Sequence, residues 1–315
     1  MRLVFLASGA FAEPTLRWLH QSEHEVALVI TQPARAGGRG RGLTPTPIRA
    51  LADELKLPTL EADNVNTPEM VGRIQALGAP LGLVIAFGQK LGADVLATFT
   101  GGCINLHASL LPKYRGAAPI QWAILRGEGR TGCTVFRIVD RMDAGPILAA
   151  DATLIHPDET AGELHNRLAI IGAETVQTAL RLLIAENAAK GTPQNEAEVS
   201  LAPKLDKSDG QIQFDRPVVQ VINHIRGMTP WPGASARFEG TDGRWENVTV
   251  TRVRRVGEAA RPAIPPGTLD ARRFVAVGDG FLEILEIKPS SGRSMTWQDY
   301  LNGRRVSPGD RFTQP

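Results

Sequence analysis

The first 188 residues alternate short apolar runs with stretches of helical period, and this alternation narrows the possible folds more than any other feature. Uninterrupted apolar runs at 2–7, 25–31 and 81–87 are typical of parallel strands buried on both faces. Helical patterns follow each of these runs along the chain. Because helices that join parallel strands make right-handed crossovers, the pattern predicts an α/β domain with a Rossmann-like, mostly parallel sheet.

The pattern changes in the last third of the chain. Residues 189–205 are rich in Gly, Pro, Gln, Asn and Glu, which is typical of a linker. After them, short strand patterns at 234–238, 248–253, 274–277 and 282–287 are separated by Gly and Pro turns. The predicted organisation is therefore a Rossmann-like domain over 1–188, a linker over 189–205 and a small OB-like β-barrel over 206–315.

Composition excludes several classes of protein. The chain is 43% hydrophobic and 22% charged, with a formal charge of +2, as in ordinary globular proteins. Two cysteines, Cys103 and Cys133, form neither a disulfide framework nor a metal-spaced cluster. No run approaches the roughly 18 apolar residues of a membrane span, and a strand that begins at residue 2 leaves no room for a leader peptide. We expect a cytoplasmic protein without a membrane partner.

A nicotinamide enzyme is the first function that a Rossmann-like sheet suggests, and the sequence argues against it. The first strand is followed by Ser8-Gly9-Ala10-Phe11 rather than by a G-x-G-x-x-G turn. The second strand ends in Thr31-Gln32-Pro33, where a dinucleotide site would need an acidic residue. The predicted sheet is therefore the only feature of the sequence that is consistent with a dehydrogenase.

Two polar residues interrupt the apolar strand pattern that begins at Cys103. Asn105 and His107 are two positions apart, so on a strand their side chains point to the same face, about 7 Å apart along it. An amide donor beside an imidazole suits a carbonyl that becomes an oxyanion. The structural alternative is that both residues simply finish the strand and cap the next loop.

Asp143 is the third candidate, at the end of the strand pattern that begins at Cys133. Taken alone, Asp143-Ala144-Gly145 is best explained as an ordinary turn. Ligands of parallel sheets bind at the carboxyl ends of the strands, however, and all three candidates fall at that edge. Their coincidence favours catalysis.

A basic loop follows the second strand. Four arginines lie between 33 and 49 without an acidic residue among them, namely Arg35, Arg39, Arg41 and Arg49. The density of Gly and Pro predicts a long, mobile loop without a regular element. Without further information, solubilising charges explain this loop better than a binding site does.

A family resemblance adds to this interpretation. Asn-Leu-His-Ala-Ser-Leu-Leu-Pro at 105–112, continued by Tyr-Arg-Gly-Ala-Ala-Pro-Ile at 114–120, resembles the signature of formyltetrahydrofolate-dependent formyltransferases. Asp143-Ala144-Gly145 resembles the second catalytic loop of that family. Three further segments resemble those of the branch that acts on initiator methionyl-tRNA. They are the basic loop, Pro-Trp-Pro at 230–232 and Asn-Gly-Arg-Arg at 302–305.

The chain departs from the family pattern at a few positions. Ser8-Gly9-Ala10 stands where a Pro and an acidic residue are usual, so the contribution of that acid is missing. Ala108 and Phe87 replace the commoner Gly and Tyr, which are conservative changes.

The resemblance implies transfer of the formyl group of 10-formyltetrahydrofolate to the α-amine of methionine on initiator tRNA, without a metal. It implies that Asn105 binds the oxyanion, that His107 is held as an imidazolium, and that Asp143 orients His107 and helps to carry the proton. The folate would contact residues at two strand ends and the loop after His107, namely Ala86, Phe87, Gly88, Ser109, Leu110, Leu111, Pro112 and Val139. The tRNA would contact Arg35, Arg39, Arg41, Arg304 and Arg305, with further barrel arginines at 252, 254 and 255. We expect a monomer.

Two alternatives from different classes stay open at this point. A formyltransferase of another branch, acting on glycinamide ribonucleotide or an aminosugar nucleotide, would need neither the basic loop nor this second domain. A non-enzymatic RNA-binding protein would explain the barrel and its arginines but would leave Asn105, His107 and Asp143 without a role.

Overall fold

The computed structural model describes residues 1–36, 42–185, 190–257 and 262–314. The chain forms two compact units that interleave along the sequence. The first comprises Met1–Gly116, Thr131–Thr153 and His165–Ala202, and the second comprises Ala117–Arg130, Leu154–Leu164 and Pro203–Pro315. The boundaries predicted at 188 and 205 divide the chain linearly and stay predictions.

The described residues form the following elements. The strands are β1 (Arg2–Ala7), β2 (Glu25–Thr31), β3 (Arg35–Ala36), β4 (Leu43–Thr44), β5 (Thr59–Glu61), β6 (Leu81–Ile85), β7 (Cys103–His107), β8 (Arg115–Gly116), β9 (Arg130–Arg137), β10 (Ile147–Leu154), β11 (Leu201–Ala202), β12 (Ala234–Glu239), β13 (Trp245–Val256), β14 (Val275–Val277), β15 (Gly280–Pro289), β16 (Met295–Thr296) and β17 (Arg311–Thr313). The helices are α1 (Glu13–Gln21), α2 (Pro47–Glu54), α3 (Pro68–Ala76), α4 (Ala93–Ala97), α5 (Pro119–Leu125), α6 (Ala161–Ala185), α7 (Val218–Met228) and α8 (Trp297–Arg304).

The first unit is built on a seven-stranded sheet with the order β10-β9-β7-β6-β1-β2-β5. The strands from β7 to β5 are parallel, and β9 runs antiparallel to β7. The predicted Rossmann-like, mostly parallel sheet is therefore confirmed. Its central strands are apolar throughout because both faces are covered: all of Leu3–Ala7 and Leu81–Ile85 is buried.

Local signals set the ends of several helices in this unit. Thr67 caps α3, because its side chain accepts a hydrogen bond from the Met70 backbone N–H. Thr46 caps α2 in the same way, through the Arg49 N–H. In both helices a proline occupies the first turn, where its missing N–H costs nothing.

The prediction that the loop after β2 contains no regular element was wrong at its two ends. Strand β3 pairs antiparallel with β4, with Arg35 opposite Thr44. Two residues on each side suffice for such a pairing, and neither pair contains Gly or Pro. Residues 37–41, which include Arg39 and Arg41, lie outside the described residues.

The second unit is built on an antiparallel sheet with the order β14-β15-β13-β12-β17, and β16 adds to β15. Residues 267–269 connect its two edges: the Gly267 N–H donates to the Ala276 carbonyl, and the Phe312 N–H donates to the Gly267 carbonyl. The sheet thus closes almost completely into a barrel, which confirms the predicted OB-like architecture. Helices α7 and α8, which the sequence analysis did not predict, contribute Val221, Ile225 and Tyr300 to its core.

Among the described residues, α6 alone is long and apolar enough to cross a membrane by length and composition. Half of its most apolar stretch is buried inside the protein, as in the core helix of a soluble protein. Leu168, Val176 and Leu180 are fully buried. The helix is therefore weak support for a membrane span.

Candidate active site

Strand β7 presents Asn105 and His107 on one face, as the alternation predicts. Asn105 lies opposite Phe136 of β9, and His107 lies opposite Thr134. The intervening residue, Leu106, is buried on the other face. The strand thus provides a rigid base for both polar side chains at its carboxyl end.

The structure brings His107 and Asp143 together from separate segments. Nδ1 of His107 lies 3.8 Å from Oδ2 of Asp143, and both side chains are largely buried. The other ring nitrogen, Nε2, lies 2.8 Å from the Tyr114 carbonyl oxygen. Because a carbonyl only accepts, Nε2 carries a hydrogen and Nδ1 is the ring nitrogen that faces the carboxylate. At 3.8 Å the contact with Asp143 is electrostatic rather than a hydrogen bond.

Asp143 occupies a constrained turn rather than an ordinary exposed one. Its carboxylate accepts a 2.9 Å hydrogen bond from the Gly116 N–H, and its backbone has a φ of +49°, in the left-handed region. A Cβ at Gly145 would lie 1.7 Å from the Arg137 carbonyl oxygen, so only glycine fits there. A largely buried carboxylate on a left-handed backbone is typical of a functional site.

Asn105 has an uncommitted side chain. It is half-buried at the end of β7, and within the described ranges no side-chain or backbone group forms a hydrogen bond with its amide. A half-buried amide normally finds a partner. Its N–H donors are therefore available to a bound molecule.

The end of β6 forms an exposed backbone corner. Ala86 and Gly88 are exposed and have φ values of +44° and +79°, whereas the Phe87 side chain is buried in the core. The Phe87 carbonyl accepts hydrogen bonds from Gln32 Nε2 at 2.8 Å and from Ser8 Oγ at 3.2 Å. Of the three predicted folate contacts here, only Ala86 and Gly88 face outwards.

The departure at Ser8-Gly9-Ala10 has a structural explanation. The Gly9 N–H donates to the Ala86 carbonyl at 3.1 Å, and a Cβ on Gly9 would lie 3.1 Å from the Ala86 Cβ. The two loops therefore approach more closely than larger residues allow. Helix α1 begins at Glu13, which supplies an acidic residue in its first turn.

The loop after His107 folds largely on itself. Ser109 is fully buried, and its hydroxyl donates to the Lys113 carbonyl at 2.7 Å. The Leu111 N–H donates to Thr134 Oγ1, which in turn donates to the Ser109 carbonyl. The Ser109 hydroxyl and the Leu111 backbone therefore hold the loop together, and both residues are buried, while Leu110 and Pro112 are half-buried and Val139 is 41% exposed.

The predicted tRNA-binding arginines differ in how they are held. Arg35 is exposed and donates to Gln32 Oε1. Arg305 is also exposed, while Arg304 pairs with Glu246 at 2.6 Å. Of the other barrel arginines, Arg252 pairs with Glu163 and Arg254 with Glu283. These two are committed to acidic partners in the second unit.

The barrel also has a feature that the sequence analysis missed. Trp245 is 62% exposed, and the Arg237 guanidinium lies over its ring, 4.8 Å from the centroid. Arg244 donates to the carbonyls of Arg304 and Arg305, so the predicted pair is adjacent to this surface. An exposed aromatic ring among arginines could have been noticed at 244–245 in the sequence.

The predicted linker supplies further residues that the sequence analysis did not assign to the site. Gln194 Nε2 donates to the carbonyls of Asp143 and Gly145, both at 2.8 Å. Ser200 accepts a hydrogen bond from the Tyr114 N–H at its hydroxyl. No sequence pattern indicates these contacts, because they depend on the path of the chain between 190 and 202.

Known proteins match this chain along almost its whole length. A formyl transferase family model matches residues 1–180, and the model of the formyl transferase C-terminal domain matches 204–305. The chain belongs to the formyl transferase family. It is 40% identical over 312 residues to a methionyl-tRNA formyltransferase of Geobacter sulfurreducens, covering 99% of this chain and 96% of that protein. A methionyl-tRNA formyltransferase of Methylococcus capsulatus is also 40% identical, covering 98% of both.

Solved structures of other proteins share the fold. HypX from Aquifex aeolicus, solved in complex with tetrahydrofolic acid, superposes with a TM-score of 0.65 at 16% identity. The match covers 98% of this chain and 48% of HypX, so the chain spans about half of that protein. The sugar 3N-formyl transferase WlaRD superposes with a TM-score of 0.64 at 16% identity, covering 93% of this chain and 99% of its own. At this identity the similarity concerns the fold.

No group of three or more His, Cys, Asp or Glu side chains is gathered as a metal site anywhere in the described part of the chain. Cys103 and Cys133 are both free and buried.

Proposed function

We propose that this protein transfers the formyl group of 10-formyltetrahydrofolate to the α-amine of methionyl-tRNA, with Asn105, His107 and Asp143 as the catalytic residues. The observation that carries the proposal is the approach of His107 to Asp143, with Asn105 on the same strand face. The full-length similarity to methionyl-tRNA formyltransferases supports the choice of tRNA as the acceptor.

Asn105 stabilises the charge that develops when the amine attacks the formyl carbon. A C–N bond forms, the carbonyl electrons move to oxygen, and the amide N–H of Asn105 donates to that oxyanion. One such donor contributes about 3 kcal/mol to transition-state stabilisation. Asn105 suits this role because none of the described groups engages its amide.

His107 and Asp143 manage the proton. Nε2 of His107 is bound by the Tyr114 carbonyl and Nδ1 faces Asp143, so both ring nitrogens face protein atoms and the ring lies beside the carboxylate that takes up the proton. Asp143 accepts the proton that the amine loses and returns it to N10 as the C–N10 bond breaks. Positioned acid–base groups contribute about 10²–10⁴ in rate.

The backbone corner at the end of β6 fits the pterin of the co-substrate. Ala86 and Gly88 are exposed, and their left-handed conformations turn backbone groups outwards. A heteroaromatic ring with several donors and acceptors needs such backbone partners. The exposed side chain of Val139 provides apolar contact, and Leu110 and Pro112 extend it.

The tRNA contacts involve phosphate groups and an exposed ring. Arg35 and Arg305 have exposed side chains, and Trp245 with Arg237 offers a surface on which a base can stack. Arg39 and Arg41 are proposed from the sequence alone. Arg304 pairs with Glu246, so its contribution to tRNA binding depends on its position as well as on its charge.

We infer that the protein works as a monomer in the cytoplasm. Light scattering after gel filtration tests whether it is a monomer.

The test is a competition between acceptors. Purified protein with 10-formyltetrahydrofolate is offered methionyl-initiator tRNA, glycinamide ribonucleotide or an aminosugar nucleotide, and the formylated amine is identified by mass. Formylation of methionyl-tRNA is expected. Preferred formylation of either small amine would assign the protein to another branch of the family, and binding of tRNA without formylation would favour a non-enzymatic role.

A further inference from the structure

The segment from Thr192 to Ala202, called the strap below, is built into the first unit although its composition is that of a linker. At one end, Thr192 and Ile147 exchange two 2.8 Å backbone hydrogen bonds. At the other end, β11 pairs in parallel with β8. The strap is therefore fixed both beside the Asp143 turn and beside the loop that follows His107.

Gln194 connects the strap to the Asp143 turn through both atoms of its amide. Nε2 donates to the carbonyls of Asp143 and Gly145, each at 2.8 Å. Oε1 accepts from Arg115 Nε at 3.1 Å and from Nη2 at 2.7 Å. Two carbonyls and a guanidinium define which end is nitrogen and which is oxygen, because the reverse orientation would oppose donors to donors.

Arg115 in turn is a buried cation that binds both an amide and a carboxylate. Its side chain is 4% exposed and donates to both carboxylate oxygens of Glu196 in addition to Gln194. Glu196 also pairs with Arg141 at 2.8 Å. These hydrogen bonds lower the pKa of Glu196, with that of Arg115 as the largest cause. The Gln194 amide is thus held from behind by a buried guanidinium that is itself paired with a carboxylate.

The turn that Gln194 holds needs external support. Asp143 adopts a left-handed conformation that most residues with a side chain avoid, and its carboxylate receives its hydrogen bond from the Gly116 N–H. Gly116 belongs to β8, which the strap also pairs with. A single segment therefore fixes both the backbone of Asp143 and the donor to its carboxylate.

We propose that Gln194 is a positioning residue for the transfer reaction, which sets the Asp143 carboxylate opposite His107. The inference rests on the proposed function of Asp143. A displacement of about 1 Å at a reacting group can cost about 10²-fold in rate. Loss of two hydrogen bonds to the Asp143 turn is therefore expected to lower kcat while leaving folate binding intact.

The test compares Gln194→Glu with Gln194→Ala. Glutamate keeps the size of the side chain and the acceptor for Arg115, but it cannot donate to the two carbonyls. Both variants are expected to lose about tenfold to a hundredfold in kcat, with KM for folate within about twofold of wild type. The matched control is Gln75→Ala on the exposed face of α3, which should leave kcat unchanged. A Gln194→Glu variant with wild-type kcat would overturn the proposal.

A second measurement does not depend on turnover. Amide hydrogen exchange at Gly116, whose N–H is bound by Asp143, should become about tenfold faster in Gln194→Ala. Exchange at Arg115, whose N–H is bound by the Ser200 carbonyl, should stay as in wild type. Unchanged exchange at Gly116, or equal acceleration at both amides, would contradict a positioning role.

A double variant completes the test. In an Asp143→Asn background, adding Gln194→Ala should lower kcat little further, because the group that Gln194 positions is already disabled. If the loss of kcat in the double variant equals the product of the two single-variant losses, the inference is refuted. Failure of the wild-type protein to formylate methionyl-tRNA would instead refute the proposed function. The exchange measurement would still test whether Gln194 supports the Asp143 turn.

Discussion

Nδ1 of His107 lies 3.8 Å from Oδ2 of Asp143, at the meeting point of a strand end and a turn that are distant in the sequence. The turn is held by the Gly116 N–H and by Gln194, and the ring is held by the Tyr114 carbonyl. Neither group of the pair can move far without breaking hydrogen bonds to neighbouring loops. The site is thus preorganised, which is what electrostatic stabilisation of a transition state requires.

Replacement of Asn105 should distinguish a donor role from a structural one. Asn105→Ala removes the proposed oxyanion donor, and kcat should fall by about 10²–10³. Asn105→Asp should be worse, because a carboxylate repels the developing negative charge. Steady-state formylation of methionyl-tRNA measures both, and equal rates for the two variants would count against the role.

Replacement of Asp143 should separate turnover from binding. Asp143→Asn keeps an oxygen that can accept the Gly116 N–H but cannot take up the proton of the amine. Turnover should fall by about 10²–10⁴, while the affinity for folate, measured by fluorescence titration, should not change. Wild-type turnover in this variant would remove Asp143 from the mechanism.

Glycine at 145 should be essential to the turn. In Gly145→Ala the new Cβ would overlap the Arg137 carbonyl, so the turn must shift. We expect about 1–3 kcal/mol of lost stability in urea unfolding, together with at least tenfold lower kcat. Gly72→Ala is the control: it lies in α3 with open space around it and should stabilise the protein by about 0.4–1 kcal/mol. Equal behaviour of the two variants would show that the turn tolerates a side chain.

The exposed arginines should affect tRNA use and leave folate use unchanged. Arg305→Gln should raise KM for methionyl-tRNA and reduce the salt dependence of binding by about 0.7–0.9 on a log–log plot if one phosphate contact is lost. Arg254→Gln should have a smaller effect, because Arg254 already pairs with Glu283. Filter binding at several salt concentrations measures both slopes, and identical slopes for Arg305→Gln and wild type would exclude Arg305 from the interface.

The two cysteines should be unreactive in the native protein. Burial raises the pKa of Cys103 to about 12 and also raises that of Cys133, whereas an unfolded thiol has a pKa of about 8.5. As pH rises above about 8.5, the thiols of the unfolded chain lose their protons while those of the folded chain keep theirs. The contribution of the thiols to the free energy of unfolding is therefore complete below about pH 8.5 and decreases above it. Ellman's reagent at pH 8 should label both thiols only in denaturant, and rapid native labelling would contradict this.

The pairing of polar side chains on β7 could be predicted from the sequence because strand alternation is a local property. Side chains two positions apart share a face wherever β7 lies, so Asn105 and His107 form a pair before any tertiary contact is known. The uninterrupted apolar runs at 2–7 and 81–87 likewise identify buried strands from a local pattern.

The sequence by itself thus determined the longer strands, the order of the two architectures and the residue types at the sheet edge. Only the tertiary structure decided how the Asp143 turn is held, which ring nitrogen of His107 faces it, and that the linker-like strap supports both. The physical reason is that these contacts join loops through single backbone N–H and carbonyl groups. Every residue type carries such groups, so the side-chain pattern does not encode which of them will meet.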